Sequence, residues 1–349
     1  MELKEKLKVK NNISNAEIPQ TKNNVYNNIT LINVFLCFCV VMIHLTASPV
    51  TELRKDSIWY ALIFAVNKLL QFSVPAFIFL SGFKLYNAYG DKKIDLKKFF
   101  SGRLKKIIVP YIISVMIYFV YYYAKKWVSI RDLPQYILLG TLVAHFYYII
   151  IAVQFYVLFP ILKSLFNKSA MAVTLLSLLC TFYFNEIFYF TYSDRIAGTY
   201  IFYFVLGMLF AKHKYCFKNN RLCLMCIAGY VITAVVHVRL SYMASLGKLI
   251  YSYAASMNIA YVAFAASAIY CIFSRFSDRY QALDGFAQTM GKVSYNVYLY
   301  HILVMLILQH NIFPHFYLTI KYRFAISFII VYSLILAYGY LNKKLKSTL

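Results

Sequence analysis

The chain has 349 residues, 62% of them apolar and 14% charged, with 36 Lys and Arg against 12 Asp and Glu and a formal net charge of +24. Its apolar residues fall in runs of about 20, long enough to cross a bilayer as helices, so a soluble domain is excluded and the fold class is an all-α polytopic membrane protein. Nucleic acid is excluded as the reason for the positive charge, because the Lys and Arg residues lie mainly in short loops between apolar runs, where they set topology.

In chain order, residues 1–28 are polar and rich in Asn and Lys, without the apolar core or small-residue cleavage site of a signal peptide. They read as a disordered cytoplasmic tail. Ten spans follow, at about 29–48, 58–83, 107–124, 134–162, 170–190, 198–211, 222–240, 248–273, 293–312 and 324–341. The sixth is short and the fourth long, which points to re-entrant or tilted segments there. Residues 342–349 form a second tail, so the membrane domain is 29–341. Cys223-x-x-Cys226 opens a span, and these thiols read as small hydrophobes; no metal set is expected.

Counting Lys and Arg by side gives 24 with both termini and 10 on the opposite side, while Lys68 and Lys84 lie near span ends and are expected to snorkel. The excess predicts that both termini are cytoplasmic. At 1.5 Å per residue, His44 then lies about 22 Å from the inner end of its span, in the outer third of the membrane. The same arithmetic puts His145 about 15 Å down from outside and His301 about 12 Å up from inside. An ionisable group at such depth usually faces the bundle interior and marks a site. A histidine hydrogen-bonded between helices is the competing reading.

Four further segments concentrate polar groups in or beside the spans. FSVPAFIFLSGF carries Pro75, Ser81 and Gly82, and FFSGRLKKIIVPY carries Arg103, Lys106, Pro110 and Tyr111. HFYYIIIAVQFYVLFP carries His145, Gln154, Tyr156 and Pro160, and GKVSYNVYLYH carries Gly291, Ser294, Tyr295, Tyr298 and His301. Pro75 is expected to kink its helix, and Ser81-Gly82 to pack small against a neighbour or let substrate approach. Tyr295 and His301 stand about 240° apart on a helix, so one of them is expected to point away from any shared cavity.

Together with Val40-Val41-Met42-Ile43-His44, these segments resemble, in order and span by span, the membrane acyltransferase 3 family, which acylates surface polysaccharides and related glycans. The nearest variant resembles the polysaccharide O-acyltransferases of the intercellular-adhesion type. Where many members carry Arg eleven residues before the first histidine, this chain has Asn33; Ala152-Val153 replaces a carboxylate pair, Lys106 a second Arg, and Tyr147 a Trp.

The resemblance implies an integral-membrane enzyme in the cell membrane that moves an acetyl or succinyl group. The group would pass from cytoplasmic acyl-CoA, a co-substrate rather than a bound cofactor, to a hydroxyl of a cell-surface glycan. O-acyl transfer from a thioester needs a base, and His44 is the candidate. Arg103 and Lys106, three residues apart, are candidates for holding the phosphates of coenzyme A. His145, Ser81, Tyr298 and His301 are accessory candidates. Other polysaccharide-synthesis proteins are candidate partners. A glycan exporter or flippase, or a non-catalytic subunit of a polysaccharide synthesis system, are the alternatives; the chain lacks the repeated halves usual in transporters.

Overall fold

A computed structural model describes residues 20–188, 190–214, 219–250, 256–276 and 281–348. Among these residues there are thirteen α-helices, short 3₁₀ and π segments, and no strand. The helices are α1 (Gln20–Glu52), α2 (Ile58–Leu69), α3 (Ser73–Tyr89), α4 (Leu96–Ala124), α5 (Leu133–Leu139), α6 (Tyr147–Lys168) and α7 (Ala170–Phe182). They continue with α8 (Ile201–Lys212), α9 (Asn220–Ser245), α10 (Ser256–Phe276), α11 (Gln281–Gly291), α12 (Ser294–Ile307) and α13 (Ile320–Thr348).

Nine helical stretches among the described residues are long and apolar enough to cross a membrane. The tenth expected span is the shorter apolar stretch Ala197–Lys212, a 3₁₀ turn followed by α8. At 2.0 and 1.5 Å per residue it reaches about 26 Å, just under the hydrocarbon thickness. The expected ten spans thus resolve into nine full-length ones and one short composite helix.

Several boundaries differ from the sequence reading. Helix α1 begins at Gln20, inside the segment read as a tail, and residues 1–19 lie outside the described residues. Helix α13 runs on to Thr348, through most of the second tail. Residues 281–291, read as loop, form α11, which packs against α1 and α13. The fourth span is not one helix. Its first part is α5, closed by Gly140 at φ +62°; a 3₁₀ turn at Ala144–Phe146 then leads into α6. Gly140 is required there, because a Cβ would also lie 2.9 Å from the Phe146 backbone.

The second span is broken too, but not by Pro75. The interruption falls at Leu70–Phe72, and Pro75 sits in the first turn of α3, where its missing N–H leaves no helix bond unmade. The buried Tyr261 hydroxyl donates to the carbonyls of Lys68 and Leu69, which the break exposes.

Packing of α3 on α8 is the tightest in the bundle. A Cβ on Gly82 would lie 2.0 Å from the Phe204 carbonyl oxygen, and one on Gly207 would lie 1.9 Å from that of Phe79. Each glycine lets the other helix's backbone approach, the small-residue contact by which membrane helices associate without help from water. Nearby, Phe155 and Phe204 stack with centroids 4.5 Å apart. This fixes α3 and α6, which carry one wall of the polar interior.

Candidate active site

Three separate elements bring three histidines together. His44 comes from unbroken α1, His145 from the 3₁₀ turn after Gly140, and His301 from the second turn of α12. Their ring centroids form a triangle with sides of 5.2 Å (His44–His301), 6.1 Å (His44–His145) and 5.0 Å (His145–His301). The three depths counted from the sequence are therefore a single level. Two physical reasons account for the difference. His145 is not on a continuous helix, so a constant rise does not apply to it. Helix α12 also starts level with Asn33, whose side chain donates to Ser294 Oγ at 2.9 Å; that places it about 6 Å above the start of the α1 apolar run.

Their surroundings divide the three into roles. His145 and His301 are buried, at 1% and 3% exposure, whereas His44 is only half-buried. His145 Nε2 lies 3.2 Å from the Leu299 carbonyl, and His301 Nδ1 lies 2.8 Å from that of Tyr298 and 3.1 Å from that of Val297. A carbonyl only accepts, so these nitrogens carry the hydrogens. The opposite nitrogens, His145 Nδ1 and His301 Nε2, are then lone-pair acceptors, buried and without a partner. His44 makes ring contacts rather than hydrogen bonds among the described residues. No group of three or more His, Cys, Asp or Glu among those residues has its donor atoms placed to hold a metal ion.

Backbone and hydroxyl bonds fix this geometry from outside. Tyr118 donates to the Leu299 carbonyl at 3.2 Å and accepts from the Leu303 amide at 2.8 Å. It thereby bridges the two groups that an unbroken helix would pair, and it helps turn the Leu299 carbonyl toward His145. Tyr298 donates to the His145 carbonyl at 2.5 Å. Buried Asn67 on α2 donates to the Ile43 carbonyl at 3.1 Å and to Thr46 Oγ1 at 2.9 Å, pinning α1 on both sides of His44. Tyr295, as the helical angle predicts, points elsewhere and donates to the Ile107 carbonyl at 2.9 Å.

From the histidines a file of tyrosines leads toward Arg103. Tyr298 packs on Tyr148 at 5.5 Å, Tyr148 neighbours Ser81 and Tyr156, and Arg103 lies over the Tyr156 ring. Arg103 lies in an aromatic box, 4.7 Å from the Phe99 centroid, 5.3 Å from Tyr89 and 5.4 Å from Tyr156. Lys106 does not join it; that side chain is exposed. Ser81 also donates to the Phe77 carbonyl at 2.9 Å, and Gly82 serves the packing described above.

Lys84 was expected to snorkel to the membrane edge. Instead its ammonium donates to Asn33 Oδ1 at 3.2 Å. A cation from α3 therefore reaches Asn33 on α1. Lys84, Asn67, Tyr118 and Tyr148 are the site residues that sequence reasoning missed. Lys84 and Asn67 had a signal, as polar groups in apolar runs, but their partners are tertiary.

A pocket of about 60 Å3 opens on one side of His44, bounded by α1, α12, α13 and the turns after α12. Its α1 and α12 lining residues all follow His44 and His301 in sequence, so it lies on the side away from Arg103. His44 is thus the one histidine of the three that faces open space.

The family model described as an acyltransferase domain, Acyl_transf_3, matches residues 26–341. No curated protein and no solved structure matches the chain. With the match covering most of its length, and with its polytopic helical fold, this chain belongs to the acyltransferase 3 family and is a multi-pass membrane acyltransferase.

Proposed function

We propose that the protein takes an acyl group, acetyl or succinyl, from acyl-CoA on its cytoplasmic side and passes it to a glycan hydroxyl on the outer side. The observation that carries this reading is the position of His44: a half-buried ring between two buried imidazoles and a pocket opening away from Arg103. The Lys and Arg excess orients that pocket outward. His44 takes the proton of the acceptor hydroxyl as its oxygen attacks the thioester carbonyl. The tetrahedral intermediate collapses, the C–S bond breaks, and the proton passes from His44 to the departing thiolate. The products are an ester and free coenzyme A.

His145 and His301 support the base. As His44 gains a proton, an N–H of its ring can be accepted by one of their inward lone pairs, stabilising the imidazolium. Arg103, held by ring contacts with Phe99, Tyr89 and Tyr156, and Lys84 supply positive charge for the donor's phosphates. The acceptor is assigned to a cell-surface polysaccharide or related glycan, the protein to the cell membrane, and synthesis proteins of that polymer to its partners.

The test uses sealed vesicles containing the protein, with labelled acetyl-CoA or succinyl-CoA on one side and a saccharide on the other. Label appearing as ester on the saccharide supports the reading. Saccharide crossing the membrane without label identifies an exporter instead.

A further inference from the structure

Lys84 belongs to an apolar span, yet its ammonium does not run out toward the headgroups as a snorkelling lysine would. It crosses to α1 and donates to Asn33 Oδ1 at 3.2 Å, while the Asn33 amide donates to Ser294 Oγ on α12 at 2.9 Å. The Asn33 side chain thus fixes the direction of Lys84 among three helices. An ammonium has three donors, and one bond to a neutral oxygen leaves two for another acceptor. Lys84 is exposed, so a ligand can reach it. Among the described residues the ion pairs are Arg54–Asp56, Lys98–Asp95, Arg195–Asp194 and Arg323–Glu52, and no carboxylate neutralises Lys84. A charged group inside a span without a counter-charge points to a ligand that supplies one.

The place of Lys84 on the helices gives that ligand an identity. Asn33 and His44 are eleven residues apart on α1, which sets them about 20° apart in direction and about 16 Å apart in height. Counted along α12, from Ser294 to His301, the interval is about 10 Å. On α3, Lys84 and Phe77 share a face to within about 20°. Phe77 packs on Tyr298 at 6.2 Å, and Tyr298 packs on His145 at 5.2 Å. One strip of the interior therefore has Lys84 at its cytoplasmic end and the histidines at the other. In coenzyme A the chain from the thioester sulfur to the first phosphorus has the bonds of just over four extended residues, a reach of roughly 14–16 Å. Extended or slightly bent, that arm covers both intervals. With the thioester at His44, its phosphate falls level with Lys84. We infer that Lys84, oriented by Asn33, binds the phosphate adjoining the pantetheine arm, so that the group recognised there is the 4′-phosphopantetheine of the donor and not its nucleotide. The inference rests on the acyl-transfer reading given above and deepens its donor side.

Pantetheine and 4′-phosphopantetheine differ only by that phosphate, and each is used to displace labelled acetyl-CoA from the protein in equilibrium dialysis. Wild-type protein is expected to release label at a 4′-phosphopantetheine concentration about tenfold or more below that needed of pantetheine, the effect of a hydrogen bond between charged groups. Lys84→Gln is expected to bring the two within about threefold, whereas Lys84→Arg keeps them apart. Asn33→Asp, nearly unchanged in shape, gives Lys84 an internal counter-charge and is expected to shrink the difference too. That variant decides the matter should Lys84→Gln bind no label. A purely structural Lys84 would weaken both compounds alike and leave their ratio at the wild-type value. Such a result, or a wild-type ratio near one, overturns the inference. Wild-type protein that shows the expected ratio but forms no ester in vesicles overturns acyl transfer and leaves the phosphate site standing. Wild-type protein that binds no acetyl-CoA overturns the donor reading and this inference together.

Discussion

The tautomers of the two buried histidines make a crossed prediction. An asparagine side chain places its amide where the Nδ1 of a histidine stands, and a glutamine places it where Nε2 stands. At His301 the inward acceptor is Nε2, and Nδ1 only caps carbonyls of its own helix. His301→Gln therefore keeps an inward acceptor, and His301→Asn removes it. At His145 the roles reverse, because Nδ1 is inward and Nε2 bonds Leu299; His145→Asn keeps the acceptor and His145→Gln removes it. A hydrogen bond to a charged group contributes about 1.5–3 kcal/mol, so losing the bond to the His44 imidazolium lowers kcat roughly 10- to 150-fold. The loss is expected to be larger at His301, whose ring is 5.2 Å from His44, than at His145, at 6.1 Å. The assay is kcat for label transfer at saturating acetyl-CoA, with protein amount matched by quantitative blotting. If Asn and Gln rank in the same order at both positions, or all four variants stay within about threefold of wild type, the proposed support of His44 by these lone pairs is refuted.

Two more outcomes follow from the packing and from the donor end. Gly82→Ala puts a methyl group 2.0 Å from the Phe204 carbonyl oxygen, forcing α3 from α8 and costing about 1–3 kcal/mol or more; Gly102→Ala meets nothing within 4 Å and is expected to raise stability slightly. Thermal unfolding in detergent compares the two, and equal midpoints would contradict the close helix approach. Arg103→Lys loses the planar stack in the Phe99–Tyr89–Tyr156 box and is expected to raise the acyl-CoA KM about tenfold with little change in kcat. Lys106→Ala, at an exposed position, is expected to leave both within about twofold, and the reverse ranking would return the donor role to Lys106.

Much of the fold was legible because the bilayer imposes a simple code. Apolar runs of spanning length are visible in any sequence, and nearly every expected span has a helix. What failed was whatever depends on where a run is interrupted. The segment 134–162 is apolar almost throughout, so nothing but Gly140 marked the break that turns His145 inward. Helix α11 was missed because its 11 residues are too short and too polar to register as a span. His44 stood out as an ionisable group in an apolar run, and that signal was local. The company it keeps is not local: His145 and His301 meet it, and Tyr118 meets His145, through offsets between helices that a count of residues along one helix cannot give. The same holds for Lys84, whose contact with Asn33 joins residues 51 apart.

The role of His44 as the base for acyl transfer is measured most directly by the rate of ester formation by His44→Ala in sealed vesicles with labelled acyl-CoA and a saccharide acceptor. General-base catalysis contributes about 10²–10⁴-fold, so kcat is expected to fall by that factor while acyl-CoA binding, read by equilibrium dialysis, stays at its wild-type value. A His44→Ala protein that forms ester at the wild-type rate would contradict the account.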